Sequence, residues 1–325
     1  PTSTGKAKCG YGSGGHAGVG WLGVQVDHAA GERIGFTMQQ VVRRAHVSSQ
    51  SEFSSGVVLN SRAVAFASEN LAIIELWYNK TSASAPATLS LDISDEAYSK
   101  DSAAGGIMSC RTNKAGQQPS TGHRAGNRAD AGASVGPPPW QWVESWLGRG
   151  YQDHRGLPAH HDVFPLTSRV EHVVMGTAFG GEYISRKNAS SNSDGKLGDR
   201  SWSTVTIAEG QVLRLSTQLW TERDFNFTRE PMAAVAQSMR SVNDPAHIAR
   251  LEAKHEASWH EYWNRSAISM PHSRRTELFW YGAVYMWKTA NLYNETAHMP
   301  PAGLWKNHYT GNDYGWPAYT TDINT

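Results

Sequence analysis

Apolar residues in this chain follow two periods. From Gly20 to Leu219 they occur in short runs or at every second position, and beyond Asn243 they return every three or four residues. Gly20–Val26, Gly56–Leu59, Ala63–Ala67 and Leu71–Tyr78 are rich in Val, Ile, Leu and aromatics and are separated by Gly, Ser and Asn, which is the signature of strands. The run Leu71–Tyr78 is nearly continuous, so it predicts a central strand. A second group covers Arg169–Met175, Glu182–Ser185, Ser203–Ala208 and Gln211–Leu219, where Val212, Arg214, Ser216 and Gln218 alternate with Leu213, Leu215 and Leu219. Short strands with turn signals and no interleaved helices predict an antiparallel sandwich.

At Asn243-Asp244-Pro245 the period changes. A capping side chain followed by Pro in the first turn predicts a helix start. Ile248, Leu251, His255, Trp259, Tyr262 and Trp263 then form one face, and Pro271 ends the run. A second helix is predicted from about Thr276 to Leu292, with Leu278, Tyr281, Tyr285 and Leu292 on one side and Phe279, Trp280 and Trp287 widening the apolar arc. So wide an arc predicts burial on several sides, as in a helical barrel. The fold class is therefore mixed: an antiparallel β-sandwich over residues 1–240, then an α-helical segment over 241–325 that opens a helical domain. Residues 99–139 are crowded with Gly, Ala, Ser, Arg and Gln and end in three prolines, which predicts a mobile insertion in the first domain.

Composition narrows the class. With 325 residues the chain is long enough for two cores. A net charge of +1 without long runs of one sign recruits neither nucleic acid nor an anionic membrane, and there is no stretch of eighteen apolar residues to span a bilayer. The two cysteines, Cys9 and Cys110, permit one bridge and no cysteine-based metal site. Five Asn-X-Ser/Thr sequons, at Asn79, Asn188, Asn226, Asn264 and Asn294, favour the secretory pathway. The sequence begins at Pro1 and stops at Thr325 directly after its densest motif, so it is read as a fragment.

That motif carries the candidate chemistry. Fourteen of the 33 aromatic residues fall within the 61 positions from Trp259 to Tyr319. In the helical part they are read equally well as a Trp-rich core. In the Gly- and Asn-rich stretch that follows they are read as a site. Flat rings stack on the C–H-rich faces of pyranoses, and short amides and carboxylates supply directional hydrogen bonds to hydroxyls. Trp305, Trp316, Tyr319 and Thr321 are the candidate sugar-binding residues, and Asp322 and Asn324 the candidate catalytic pair.

Other motifs are discounted. Gly10–Gly20 is Gly-rich but lacks the Lys-Ser/Thr of a phosphate loop, and no Ser sits in a G-x-S-x-G turn. His255 and His260 are five apart and point to different helix faces, and His160-His161-Asp162 lacks a further ligand. No metal and no cofactor is assigned.

The order of a β-sandwich, His255-x-x-x-Trp259-x-x-Tyr262-Trp263-x-x-Ser266, an aromatic helix, P-A-G-L-W at 301–305, Trp316 and Y-T-T-D-I-N-T at 319–325 resembles glycoside hydrolase family 95. These are α-L-fucosidases and relatives with an N-terminal sandwich and an (α/α)6 barrel. The match is specific in the last seventy residues and architectural before them. It implies an inverting hydrolase acting on a terminal α-linked sugar, fucose or a related one, of an oligosaccharide or polysaccharide. In such enzymes the matching segment carries two Asn separated by one residue, and the second, made basic by a downstream Asp, orients the attacking water. Asn324 holds the second position, while Asp322 replaces the first Asn, which puts the base role or the sugar specificity in doubt. The general acid, a Glu, is expected beyond Thr325, so the 325-residue chain alone, with an incomplete barrel, is expected to be inactive and poorly folded. The alternative is a non-catalytic carbohydrate-binding or structural protein with a degenerate barrel. A phosphorylase would need a basic phosphate pocket, which the sequence does not display.

Overall fold

The computed structural model of the chain describes residues 20–66, 69–97, 122–128, 139–146, 172–191, 200–221, 224 and 231–290. The described strands are β1 (Gly20–Val26), β2 (Arg33–Val41), β3 (His46–Phe53), β4 (Val57–Phe66), β5 (Leu71–Lys80), β6 (Thr88–Ala97), β7 (Gly122–Arg128), β8 (Trp140–Trp146), β9 (His172–Gly181), β10 (Ser185–Ser191), β11 (Arg200–Ala208) and β12 (Leu213–Thr221). They form a four-stranded sheet in the order β1-β6-β11-β10 and an eight-stranded sheet in the order β2-β3-β4-β5-β12-β9-β8-β7, with antiparallel pairing throughout. This is the expected antiparallel sandwich. The strand β5 lies between β4 and β12, the central place that its apolar run predicts.

Side-chain alternation divides the large sheet into two buried faces. Leu59, Leu76, Tyr78, Phe179, Leu213 and Leu215 meet Leu89, Leu91, Ile93, Val205 and Ile207 of the small sheet. Residues of opposite parity, among them Val64, Phe66, Ile73, Val174 and Ala178, face Val235 and Met239 around α1 (Pro231–Ser238) and Ile248 and Leu251 of α2 (Pro245–Ser266). The architecture is thus three-layered: small sheet, large sheet, helices. Gly176 admits α1, because a Cβ there would lie 2.7 Å from Val235 Cγ1.

α2 starts where the sequence predicts it. The Asp244 side chain accepts from the Ala246 N–H at 3.0 Å, Pro245 occupies the first turn, and the helix ends at Ser266. Ile248, Leu251, Trp259 and Trp263 of the predicted face are buried. The third helix is α3 (Arg274–Ala290), and among the described residues it is covered on one side. Tyr281, Val284 and Tyr285 pack against α2, while Leu278 and Phe279 remain 62% and 77% exposed. Among the described residues its packing partners in that cluster are α2 and the β2–β3 turn.

Several strands differ from the sequence reading. β2, β3, β6 and β8 were not expected as strands, and Val57–Phe66 is one ten-residue strand where two shorter ones were expected. Within the stretch 99–139, read as a mobile insertion, Gly122–Arg128 forms β7 and pairs along its length with β8. Cys9, Cys110, the Gly10–Gly20 stretch and His160-His161-Asp162 lie outside the described residues.

Candidate functional site

The structure describes the scaffold that precedes the candidate site. Trp305, Trp316, Tyr319, Thr321, Asp322 and Asn324 all lie outside the described residues, which end at Ala290. A seam holds the helices against the large sheet and leads the chain toward that point.

The seam has an aromatic half and a charged half. In the aromatic half, Trp259 is the hub: its ring stacks on Tyr285 with centroids 5.1 Å apart and on Trp263 at 6.0 Å, and meets Tyr262 edge-on at 5.8 Å. Tyr281 approaches Trp263 at 5.4 Å. The polar tips of three of these rings bond to backbone. Tyr262 donates to Val284 O at 3.0 Å, Trp263 to Val42 O at 3.0 Å and Tyr281 to Ile268 O at 2.8 Å. An aromatic whose face is stacked and whose N–H or O–H is already satisfied has nothing left for a ligand. Trp259, Tyr262, Trp263, Tyr281 and Tyr285 are therefore packed into the seam, whereas Phe279 and Trp280 of α3 remain exposed.

The charged half is a ladder. Arg214 Nη2 lies 2.9 Å from Glu75, Glu75 lies 3.2 Å from Arg62, and Arg62 reaches Glu252 of α2 at 2.7 Å. Three strands, β4, β5 and β12, and the helix α2 are thereby tied by alternating charges. Next to it, His255 Nε2 lies 3.0 Å from Arg44 O and its ring meets Phe66 edge-on at 5.4 Å. Burial holds the His255 imidazole below the ordinary histidine value, against the upward pull of backbone hydrogen bonds to Arg44 and Ala45. His46 is lowered too, by burial first and then by Arg62 and Arg44. Sequence reasoning placed His255 on the buried face but missed this role. The β2–β3 turn that accepts its bond carries Arg43-Arg44, which gave no signal of a docking point.

Among the described residues no group of three or more His, Cys, Asp or Glu side chains is placed to hold a metal ion. No helix of the described residues is long and apolar enough to cross a membrane.

No family model matches the chain, and no curated protein matches it. Among solved structures it is similar to a protein assigned as a kojibiose phosphorylase from the human microbiome, with a TM-score of 0.48 and 8% identity over 82% of this chain and 31% of that one. It is also similar to a bacterial glucoamylase complexed with acarbose, with a TM-score of 0.41 and 7% identity over 82% of this chain and 34% of that one. The chain spans about a third of the length of these two structures. By name, both neighbours are enzymes that act on carbohydrates.

Proposed function

We propose that this chain is the sandwich and the opening of the helical barrel of a glycoside hydrolase that removes a terminal α-linked sugar, fucose or a related one, from an oligosaccharide or polysaccharide with inversion. The observation that carries this reading is the order of elements along one chain: a two-sheet sandwich, a helix docked on it by a capped and Pro-started turn, an aromatic helical hairpin, and then the aromatic, amide and carboxylate side chains of Pro301–Thr325. The packing of Trp259, Tyr262, Trp263, Tyr281 and Tyr285 supports it indirectly, since these rings are consumed by the scaffold and leave Trp305, Trp316 and Tyr319 as the sugar platform.

In this reading Asn324 orients the attacking water and Asp322 accepts its proton or hydrogen-bonds the sugar, with Thr321 beside them. The acid that protonates the leaving oxygen comes from later chain. Inversion needs those two groups about 6.5–9.5 Å apart on opposite sugar faces. Exposed Asn79 and Asn264, each in a sequon, support passage through a secretory lumen. A downward gel shift of the secreted protein after treatment with an N-glycan-removing enzyme is the expected outcome.

The test is kinetic. In the polypeptide extended past Thr325 along its own reading frame, Asn324→Ala is expected to lower kcat for an aryl α-glycoside by about 100-fold or more with KM little changed. No turnover of any aryl α-glycoside by the extended protein would reject the hydrolase. The 325-residue chain is expected to release no 4-nitrophenol from aryl α-L-fucoside. A second reading is favoured by Asp322, which stands where the resemblance calls for Asn: a carbohydrate-binding protein that has lost hydrolysis. There Asn324→Ala weakens sugar binding and no turnover exists to lose.

A further inference from the structure

The sandwich interior is apolar along most of its length and turns polar at one end. Inward positions read Leu89, Leu91, Ile93 and then Asp95 along β6, Ile207, Val205 and then Ser203 and Ser201 along β11, and Leu213, Leu215 and then Thr217 along β12. On β9 the corresponding step is from Phe179 to Thr177, and β8 adds Gln141. Asp95, Gln141, Thr177, Ser201 and Ser203 are all buried.

The contacts there cross from one sheet to the other. Asp95 Oδ1 is 2.9 Å from Thr177 Oγ1, which is 3.0 Å from Thr217 Oγ1. Gln141 donates to Ile93 O at 3.3 Å and accepts from Ser203 Oγ at 2.8 Å, and Ser203 accepts from Arg186 Nε of β10 at 3.0 Å. Asp95 Oδ2 is buried and has no hydrogen-bond partner among the described residues. Arg186 is the charged side chain joined to this layer. Its guanidinium lies over the Phe179 ring at 4.3 Å and its Nε donates to Ser203, which in turn donates to Gln141. Among the described side chains, the other groups beside Asp95 on β8, β9, β11 and β12 are the neutral amides and hydroxyls of Gln141, Thr177, Ser201, Ser203 and Thr217.

We propose that Asp95 is a proton-operated clasp between the two sheets: as the neutral acid it ties β6 to β9 and β12, and its ionisation loosens this end of the sandwich. An ionised carboxylate with one oxygen orphaned in a dry interior is strongly disfavoured, and binding a proton is the usual escape. The neutral acid can also donate through Oδ1 to Thr177, freeing that hydroxyl to donate to Thr217, so the three groups become a directed chain. Burial pushes the Asp95 carboxyl up to about 8, against hydrogen bonds from Thr177 and Gln141 that favour its charged form.

The sign follows from proton linkage. A carboxyl raised above its unfolded value of 3.8 gives the folded state the extra proton between that value and about 8. Its stabilising term is complete below the unfolded value and is lost as pH rises through the folded one. The expected result, in urea unfolding of the 325-residue chain from pH 4 to 9, is an unfolding constant that climbs by up to about tenfold per pH unit across this window. Asp95→Asn keeps the shape and removes the proton, so its curve lacks this climb. Where that variant fails to fold, ¹³C carboxyl shifts of the unsubstituted protein, labelled at Asp, decide alone: one Asp signal titrates above neutrality. Thr177→Val, which removes a bond to the charged form, moves that titration further up. Parallel curves for the two proteins, all Asp signals titrating in the ordinary carboxylate range, or no response to Thr177→Val would each overturn the clasp.

Discussion

The sandwich and the helical hairpin bury comparable kinds of residue by different means. Between the sheets each apolar side chain is enclosed from above and below, and Leu91, Leu213 and Leu215 have no exposed surface. Among the described residues the α2–α3 pair is enclosed from one side, held by a few ring contacts and by the β2–β3 turn that receives Trp263 and His255. A core closed on two faces spreads its energy over many interchangeable contacts, whereas a seam concentrates it. Local opening is therefore expected at the seam first.

The most severe test of that contrast is Trp259→Ala, which removes the hub of the aromatic cluster and is expected to cost about 3–5 kcal/mol locally. Hydrogen exchange should rise across α2 and α3 while β5, β6 and β12 keep their protection. Uniform loss of protection in both regions would mean that sandwich and hairpin form one cooperative unit. Leu215→Ala, expected to cost about 2–5 kcal/mol, should instead lower the urea midpoint of the strands. Glu75→Gln leaves Arg62 and Arg214 facing each other across a missing charge, for which about 1–3 kcal/mol is expected, and added salt should shrink the difference.

The two regions should also respond oppositely to acid. His255 is held below its ordinary value by burial, so the unfolded chain binds more protons than the folded one just below pH 6.5, and the seam weakens as pH falls through the folded value. Tryptophan fluorescence of the hairpin, compared between the parent protein and His255→Phe, should show this as an acid-induced change confined to the parent. Over the same range the sandwich gains stability from Asp95. The smallest expected effect is at the open face of α3, where Phe279→Ser should change stability by no more than about 0.5 kcal/mol.

Legibility followed how much of an element's environment its own residues announce. α2 was readable because Asp244-Pro245 and the Ile248-to-Trp263 face are both local signals. The alternation Leu89, Leu91, Ile93 in β6 was equally present, but its fourth inward residue is Asp95, and a carboxylate in that row hides a strand that is buried on that face. β2 and β3 are rich in Ser, Gln and Thr because the sheet edge is wet, and β7, Gly-His-Arg-Ala-Gly-Asn-Arg, takes its strand form from pairing with β8 and from no preference of its own. For the site, the sequence singled out aromatics without telling scaffold from platform. The backbone carbonyls that capture Tyr262, Trp263 and Tyr281 mark these three as scaffold, and those come from residues up to 221 positions away.

Asn243, the residue two positions before α2, carries a further consequence. Its Oδ1 accepts from Ser216 Oγ at 2.6 Å on β12, and a Cβ on Gly180 of β9 would fall 2.6 Å from its side-chain carbon. The helical layer is thus plugged into the sheet at a socket formed by one absent methyl group. Filling that socket with Gly180→Ala would act as a mechanical uncoupler, dislodging the joint between the layers without touching the hydrophobic interior of either.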